Sequence, residues 1–158
     1  MIKLLVFLFI FVSIYAHETI YNLPDNHSRL QHELGRSFKA ASQILILTPS
    51  LHHPKLSKKF LSTIKKGGVV KIIVQDTQGD PLSLIQYKNV ELYLSTVKPD
   101  QTVILVDDSL VCTGDTPLDE ELYSSEHSVV RCSDNESRIR SIRSALYPLM
   151  QRAKPYLE

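Results

Sequence analysis

Three observations predict a mixed α/β sandwich, with helices packed on a sheet that is parallel in its first half and antiparallel in its second. Two short, largely apolar runs, Ile44–Leu47 and Val69–Val74, are too brief for helices and read as strands buried on both faces. Amphipathic helical patterns precede and separate them, and that alternation joins parallel strands through right-handed crossovers. After a third strand the character changes, and strand-like runs follow one another with little helix between them.

Taken in order, residues 17–27 carry Pro24, Asp25 and Asn26 and read as an irregular lead-in. Ser28 is placed to cap a helix with Leu30, Leu34, Phe38 and Ala41 on one face. The strand Ile44–Leu47 ends at Thr48-Pro49. A helix is predicted over Lys55–Lys66, with Leu56, Phe60, Leu61 and Ile64 inward and Gly67-Gly68 as its stop. The strand Val69–Val74 follows. Asp80-Pro81 opens a short helix to about Tyr87, with proline in the first turn. Val90–Leu94, Thr102–Val106, Ser109–Thr113 and His127–Cys132 complete the strands, and Asp107-Asp108 fits a hairpin turn. An acidic loop spans 115–125. A last helix begins near Asn135 with Ile139, Ile142, Leu146 and Met150 inward, and Pro148 is expected to kink it or mark its frayed end.

Residues 1–16 stand apart from this pattern. Lys3 precedes a nearly unbroken apolar run from Leu4 to Ile14, and Tyr15-Ala16 leads into polar sequence. The run is shorter than the roughly 20 residues of a spanning helix. It reads as a secretory signal cut after Ala16, with an uncleaved membrane anchor as the alternative, so an exported, periplasmic or envelope protein is expected. Cleavage removes Lys3 from 18 basic residues and none of the 17 acidic ones, leaving a formally neutral chain. Strong long-range attraction to nucleic acid is therefore not expected. The remaining residues, 17–158, suit one domain, with its folded body over 28–158.

Several residue groups are candidates for chemistry. Export permits a disulfide between Cys112 and Cys132. If the strands ending near Gly114 and starting near Glu126 pair antiparallel, however, Cys112 lies opposite about residue 128, and two separate thiols are expected. His52 and His53 follow the first strand, where an α/β site collects. They are weak metal candidates, because the chain lacks a His-x3-His pair and a cysteine cluster. A histidine pair before Pro54 reads equally as a solvated turn. If His17 becomes the N-terminus it could weakly hold copper. Lys55, Lys58, Lys59, Lys65 and Lys66, with Lys71 nearby, form either a solvated helix face or a patch for nucleic-acid phosphates. Arg138, Arg140 and Arg143 could extend that patch.

The order of elements, together with several local strings, resembles one half of the phospholipase D superfamily, in particular its small exported bacterial nucleases with one motif per chain. The strings are Ile44–Ser50, Leu61–Asp76 with its Lys-Gly-Gly-Val-Val-Lys-Ile core, Thr102–Asp107 followed by Ser109–Gly114, and Ser125–Val130. Together they cover about residues 28–152. The resemblance implies a phospholipase D-like sandwich, no cofactor, and pairing of two subunits across the motif surface, as a homodimer or with a homologous partner. In the family motif His-x-Lys-x4-Asp, the histidine attacks phosphorus and the lysine neutralises the phosphoryl oxygens. Here those positions hold Asp100 and Thr102, while Asp107 keeps the final aspartate. Asp115 and Pro117 stand in the following Gly-Ser-x-Asn segment, and Glu126 keeps the acid that orients the histidine. Carboxylates gathered where an anionic transition state needs cations and donors oppose phosphodiester cleavage. The expected function is a non-catalytic binding, scaffold or modulator protein. The alternatives are a divergent nuclease or phosphodiesterase, and nucleic-acid capture without cleavage.

Overall fold

A computed structural model of the chain describes residues 17–157. The signal or anchor expectation for 1–16 lies outside the described residues. The chain runs β1 (Glu18–Leu23), α1 (His27–Ala40), β2 (Gln43–Thr48), β3 (Leu51–His52), α2 (Pro54–Lys65), β4 (Val69–Val74), α3 (Asp80–Leu84) and β5 (Val90–Leu94). It continues with β6 (Thr102–Val106), β7 (Leu110–Gly114), β8 (Leu118–Asp119), α4 (Glu120–Ser125), β9 (Ser128–Ser133), α5 (Glu136–Arg152) and β10 (Lys154–Pro155). Eight strands form one sheet in the order β1-β9-β7-β6-β2-β4-β5-β10, and β3 pairs with β8 in a separate small ladder. The pairs β2–β4 and β4–β5 are parallel, and every other neighbour in the large sheet is antiparallel. The predicted switch from parallel to antiparallel pairing is present.

The all-apolar character of β2 follows from its central place. Ile44 and Ile46 face a core under α1 and α2, while Leu45 and Leu47 face a second core under α5. Both helical layers present the apolar stripes read from the sequence. On the first side Phe38 of α1 meets Phe60 of α2 with ring centroids 5.0 Å apart, and both rings are fully buried. On the second, Ile139 and Leu146 are the buried residues of α5. Helix α5 runs through Pro148 to Arg152 instead of ending there.

Four expectations need correction. Residues 18–23 are not irregular; they form the edge strand β1, paired antiparallel with β9 from Glu18↔Ser133 to Leu23↔Ser128. Tyr21 and Leu23 are buried and Ile20 is exposed, the alternation of a half-buried strand. Helix α1 starts at His27, one residue before the expected cap. The Asn26 side chain turns away from the helix to accept a hydrogen bond from Asn22 N at 3.0 Å. The loop 115–125 contains β8 and the short helix α4, where Asp119 caps by accepting from Glu121 N and Leu122 N.

The fourth correction concerns the cysteines. Cys112 and Cys132 form a disulfide with an S–S distance of 2.06 Å. The register pairs Gly114 with Val130 and Cys112 with Cys132. Glu126 and His127 lie outside β9, so the strand begins later than the hairpin argument assumed and the two cysteines come opposite each other.

Candidate functional site

Strand direction decides which residues share an edge. The C-terminal ends of β2, β4 and β7 and the N-terminal ends of β6 and β9 lie together, marked by Thr48, Val74, Gly114, Thr102 and Ser128. Helices α1 and α2 both begin at this edge, because each runs antiparallel to the strand beside it. The residues singled out by the family resemblance therefore gather here, with one exception.

That exception is Asp107. It lies at the far end of β6, roughly 17 Å from Thr102 at about 3.3 Å per strand residue. Its φ of 49° places it in the left-handed region that a short polar side chain tolerates. Its carboxylate accepts from Gln43 N at 2.7 Å and from Ser42 N at 3.1 Å. Asp107 thus ties the β6–β7 turn to the start of β2, which is a folding role.

Thr102 is buried. Its hydroxyl donates to Thr116 O at 2.8 Å and lies 3.1 Å from the Thr48 hydroxyl. Thr48 in turn donates to Ser50 O at 2.9 Å and accepts from Leu118 N at 3.0 Å. These neutral hydrogen bonds tie β6 to the β7–β8 connection through Thr102 and β2 to the same connection through Thr48, so both hydroxyls have partners inside the protein. Asp100, Asp115 and Glu126, by contrast, are exposed. Among the described residues no group of three or more His, Cys, Asp and Glu is placed to hold a metal ion. The three carboxylates thus face solvent, where mutual repulsion is screened. Dispersed in this way, they do not by themselves impose a concentrated negative field on the edge.

The two neighbouring histidines part company. His52 is exposed on β3. His53 is fully buried, contrary to the solvated-turn reading, because it is the N-cap of α2. Its Nδ1 accepts from Leu56 N at 3.3 Å, which puts the ring proton on Nε2. That Nε2–H points at His27 Nε2, 3.0 Å away. His27 then carries its own proton on Nδ1, 3.2 Å from the Ser124 hydroxyl. Ser124 passes the chain on to Glu120 O at 2.7 Å. Gln31 stands 2.7 Å from His27 Nε2, and the Tyr123 ring packs edge-on against both imidazoles. One run of hydrogen bonds thus links α2, α1 and α4, and it closes only when both histidines are neutral.

The surroundings favour that neutral state. Burial lowers the His53 pKa below the usual histidine value, and the facing His27 lowers it further, against smaller opposing effects of Glu120 and Asp80. Burial also lowers His27; Lys55 acts in the same direction and Glu120 against it. The Glu120 carboxyl is held below its ordinary value chiefly by its hydrogen bond to Lys55, with which it forms an ion pair at 2.6 Å. Asp80 accepts from His53 N and the Ser57 hydroxyl, both at 2.7 Å, which fixes the start of α2. Sequence reasoning missed His27 altogether. The only sign of it was a histidine in the first turn of a helix, 26 residues from its partner.

The lysines also sort differently in three dimensions. Lys55 is paired with Glu120, and Lys71 sits on β4 beside Glu91 at 3.6 Å. Lys65 is exposed, and the Lys66 ammonium donates to Lys39 O. Arg138, Arg140 and Arg143 lie on α5, across the sheet from α2, and do not extend the patch.

Neither protein-family models nor curated protein sequences give a match. Solved structures do. NucT from Helicobacter pylori superposes with a TM-score of 0.80 at 18% identity, over 89% of this chain and 99% of that one. Nuc from Salmonella typhimurium, a phospholipase D family member, gives 0.75 at 17% identity, over 90% and 99%. TrmBL2, an archaeal chromatin protein described by a novel mode of DNA binding, gives 0.65 at 11% identity, over 92% of this chain and 56% of that one. The protein has the phospholipase D fold. At these identities the likeness carries the fold and no residue roles. No helix among the described residues is long and apolar enough to cross a membrane.

Proposed function

We propose that this protein, with its phospholipase D fold, is an exported binding or scaffold protein that does not itself cleave phosphodiesters. The observation that carries the reading is Thr102. At the motif position of the ammonium that would neutralise phosphoryl oxygens stands a buried hydroxyl held by Thr48 and Thr116. The position of the attacking imidazole is the exposed Asp100. A carboxylate can attack phosphorus, but only where a cation offsets its charge, and no lysine or arginine forms an ion pair with Asp100 among the described residues. The similarity to TrmBL2, whose description is of DNA binding, is in keeping with a binding role for this fold.

The test is direct. The mature protein is expected to leave bis-p-nitrophenyl phosphate and both single- and double-stranded DNA intact, at rates no higher than the blank. Turnover that disappears in Asp100→Ala would establish the rival reading of a divergent phosphodiesterase.

Export and pairing belong to the same proposal. His17 N lies 2.6 Å from the Asp134 carboxylate. Cleavage after Ala16 would turn that amide into an ammonium already beside its counter-ion. By the family resemblance, two subunits would pair across the motif edge. Native mass spectrometry of the protein recovered from its own cell envelope reads both features. A subunit mass beginning at His17 and a two-subunit ion are expected. A mass that retains residues 1–16 would indicate an anchor instead, and a single-subunit ion would argue against pairing.

A further inference from the structure

We infer that the groove between α1 and α2 is a binding site for the phosphate backbone of a nucleic-acid strand, taken without regard to base sequence. The inference supplies a ligand for the binding role proposed above. It concerns a surface on the outer side of the helical layer, distinct from the buried Thr102 network.

The groove is a concavity of about 400 Å³ lined by His32, Gly35, Arg36, Lys39, Lys58, Lys59 and Ser62. Four of these carry a permanent positive charge and none is a carboxylate. Arg36 pairs with Glu33, whereas Lys39, Lys58 and Lys59 have no acidic partner among the described residues. Lys59 is held in a particular way. It crosses from α2 onto α1 at Gly35, where a Cβ would meet its Cδ at 2.9 Å and its Nζ at 3.0 Å. The missing side chain at position 35 leaves room for the half-buried Lys59 to lie across the neighbouring helix. Cations gathered in one groove without acidic partners repel one another until an anion reaches them.

The chemistry of the lining selects the anion. The groove offers mainly donors: the Arg36, Lys39, Lys58 and Lys59 side chains only donate, while the Ser62 hydroxyl spends its proton on Lys59 O at 2.8 Å and keeps acceptor capacity alone. A phosphodiester backbone presents acceptors on every unit and no donor. An acidic peptide brings backbone N–H groups as well, for which this lining supplies few acceptors. No Phe, Tyr or Trp lines the groove and His32 is its one ring, so contact falls mainly on the backbone, which carries no sequence preference.

The test uses fluorescence anisotropy of a labelled mixed-sequence single-stranded oligonucleotide with the full mature protein, titrated at several salt concentrations. Saturable binding at about 50 mM salt is expected. Log affinity should fall against log salt with a slope of about −3 if the four cations are engaged. Lys58→Gln with Lys59→Gln should weaken binding at least about tenfold and flatten the slope by about 1.4. Arg140→Gln with Arg152→Gln removes the same charge from α5 and should leave binding within about twofold. Gly35→Ala keeps every charge and favours the helix, yet displaces Lys59, so it should weaken binding several-fold without lowering the melting temperature. Absence of saturable binding, or equal losses from the α2 and α5 pairs, would overturn the inference. So would displacement of the oligonucleotide by poly-glutamate as readily as by polyphosphate, since the groove would then take carboxylates. Each readout is of binding, so failure here leaves the hydrolysis test untouched, and turnover there leaves this one standing.

Discussion

Reducing the Cys112–Cys132 bridge is expected to destabilise the protein by about 3 kcal/mol, the chain-entropy value for a closed loop of roughly 20 residues. For a domain of this size that corresponds to a drop of about 10 °C in Tm. The effect has a structural address. The bridge staples β7 to β9 at the base of an excursion that contains β8 and α4. That excursion supplies Thr116 O to the Thr102 network and Ser124 to the histidine chain. Without the bridge, the unfolded chain regains the conformational freedom of the segment that folding must order at this edge. Thermal melts with and without reductant, and of Cys112→Ala with Cys132→Ala, should agree with each other and lie well below the oxidised protein. Superimposed oxidised and reduced melts would show that the bridge contributes nothing.

Mild acid is the second perturbation with a large expected effect. The folded protein holds His53 and His27 neutral, with pKa values below those of the unfolded chain. As pH falls through about 6.5, the unfolded chain takes up protons that the folded chain refuses. Stability is fully present above that pH. It is lost progressively downward until the folded-state pKa values are reached, with a limiting slope of about 1.4 kcal/mol per pH unit for a fully excluded proton. Buried His53 should approach that limit, and His27, partly open to water, should contribute less. Glu120, whose pKa is lowered, acts in a separate window: its contribution is lost only below the ordinary carboxylate range. Protonating His53 also removes the Nδ1 acceptor that caps α2, and protonating His27 at Nε2 sets its N–H against that of His53 across the 3.0 Å gap. His53→Asn keeps an acceptor for the Leu56 amide without a titrating group. Urea unfolding at pH 7.0 and 5.5 should therefore show a large loss in the native protein and a smaller one in this variant. Equal losses would place the acid sensitivity elsewhere.

How far the fold was legible depended on the range of the interactions involved. The strands β2, β4 and β6 were readable because burial on both faces forces apolar runs, and Gly67-Gly68 and Asp107-Asp108 punctuated them. The apolar stripes of α1, α2 and α5 were readable by the same reasoning. Strand β1 was not, since its six residues are strand only because β9, more than 100 positions away, pairs with them. Pro24, Asp25 and Asn26 also masked the alternation of Tyr21 and Leu23. The disulfide was misjudged because α4 sits within the connection and moves the start of β9, shifting the register.

At the candidate site the environments of the residues singled out by the family resemblance were not legible in the sequence. Asp107 turned out to brace a turn at the far end of the sheet, and the exposed Asp100, Asp115 and Glu126 do not form a metal-holding cluster. His53 changed from a solvated turn residue to a buried cap, and His27 became visible only beside it. The lysine patch divided into Lys55, engaged by Glu120, and the groove cations Lys58 and Lys59, joined there by Arg36 and Lys39 of a different helix.

The linear chain was sufficient to specify which segments are helices or central strands, because period, turn chemistry and residue order are local properties. Proton positions on two imidazoles, a cystine across two strands and a cationic groove between two helices arose from contacts between segments brought together by packing. Such proximity depends on register and loop closure across the whole domain, and no short window of residues encodes it.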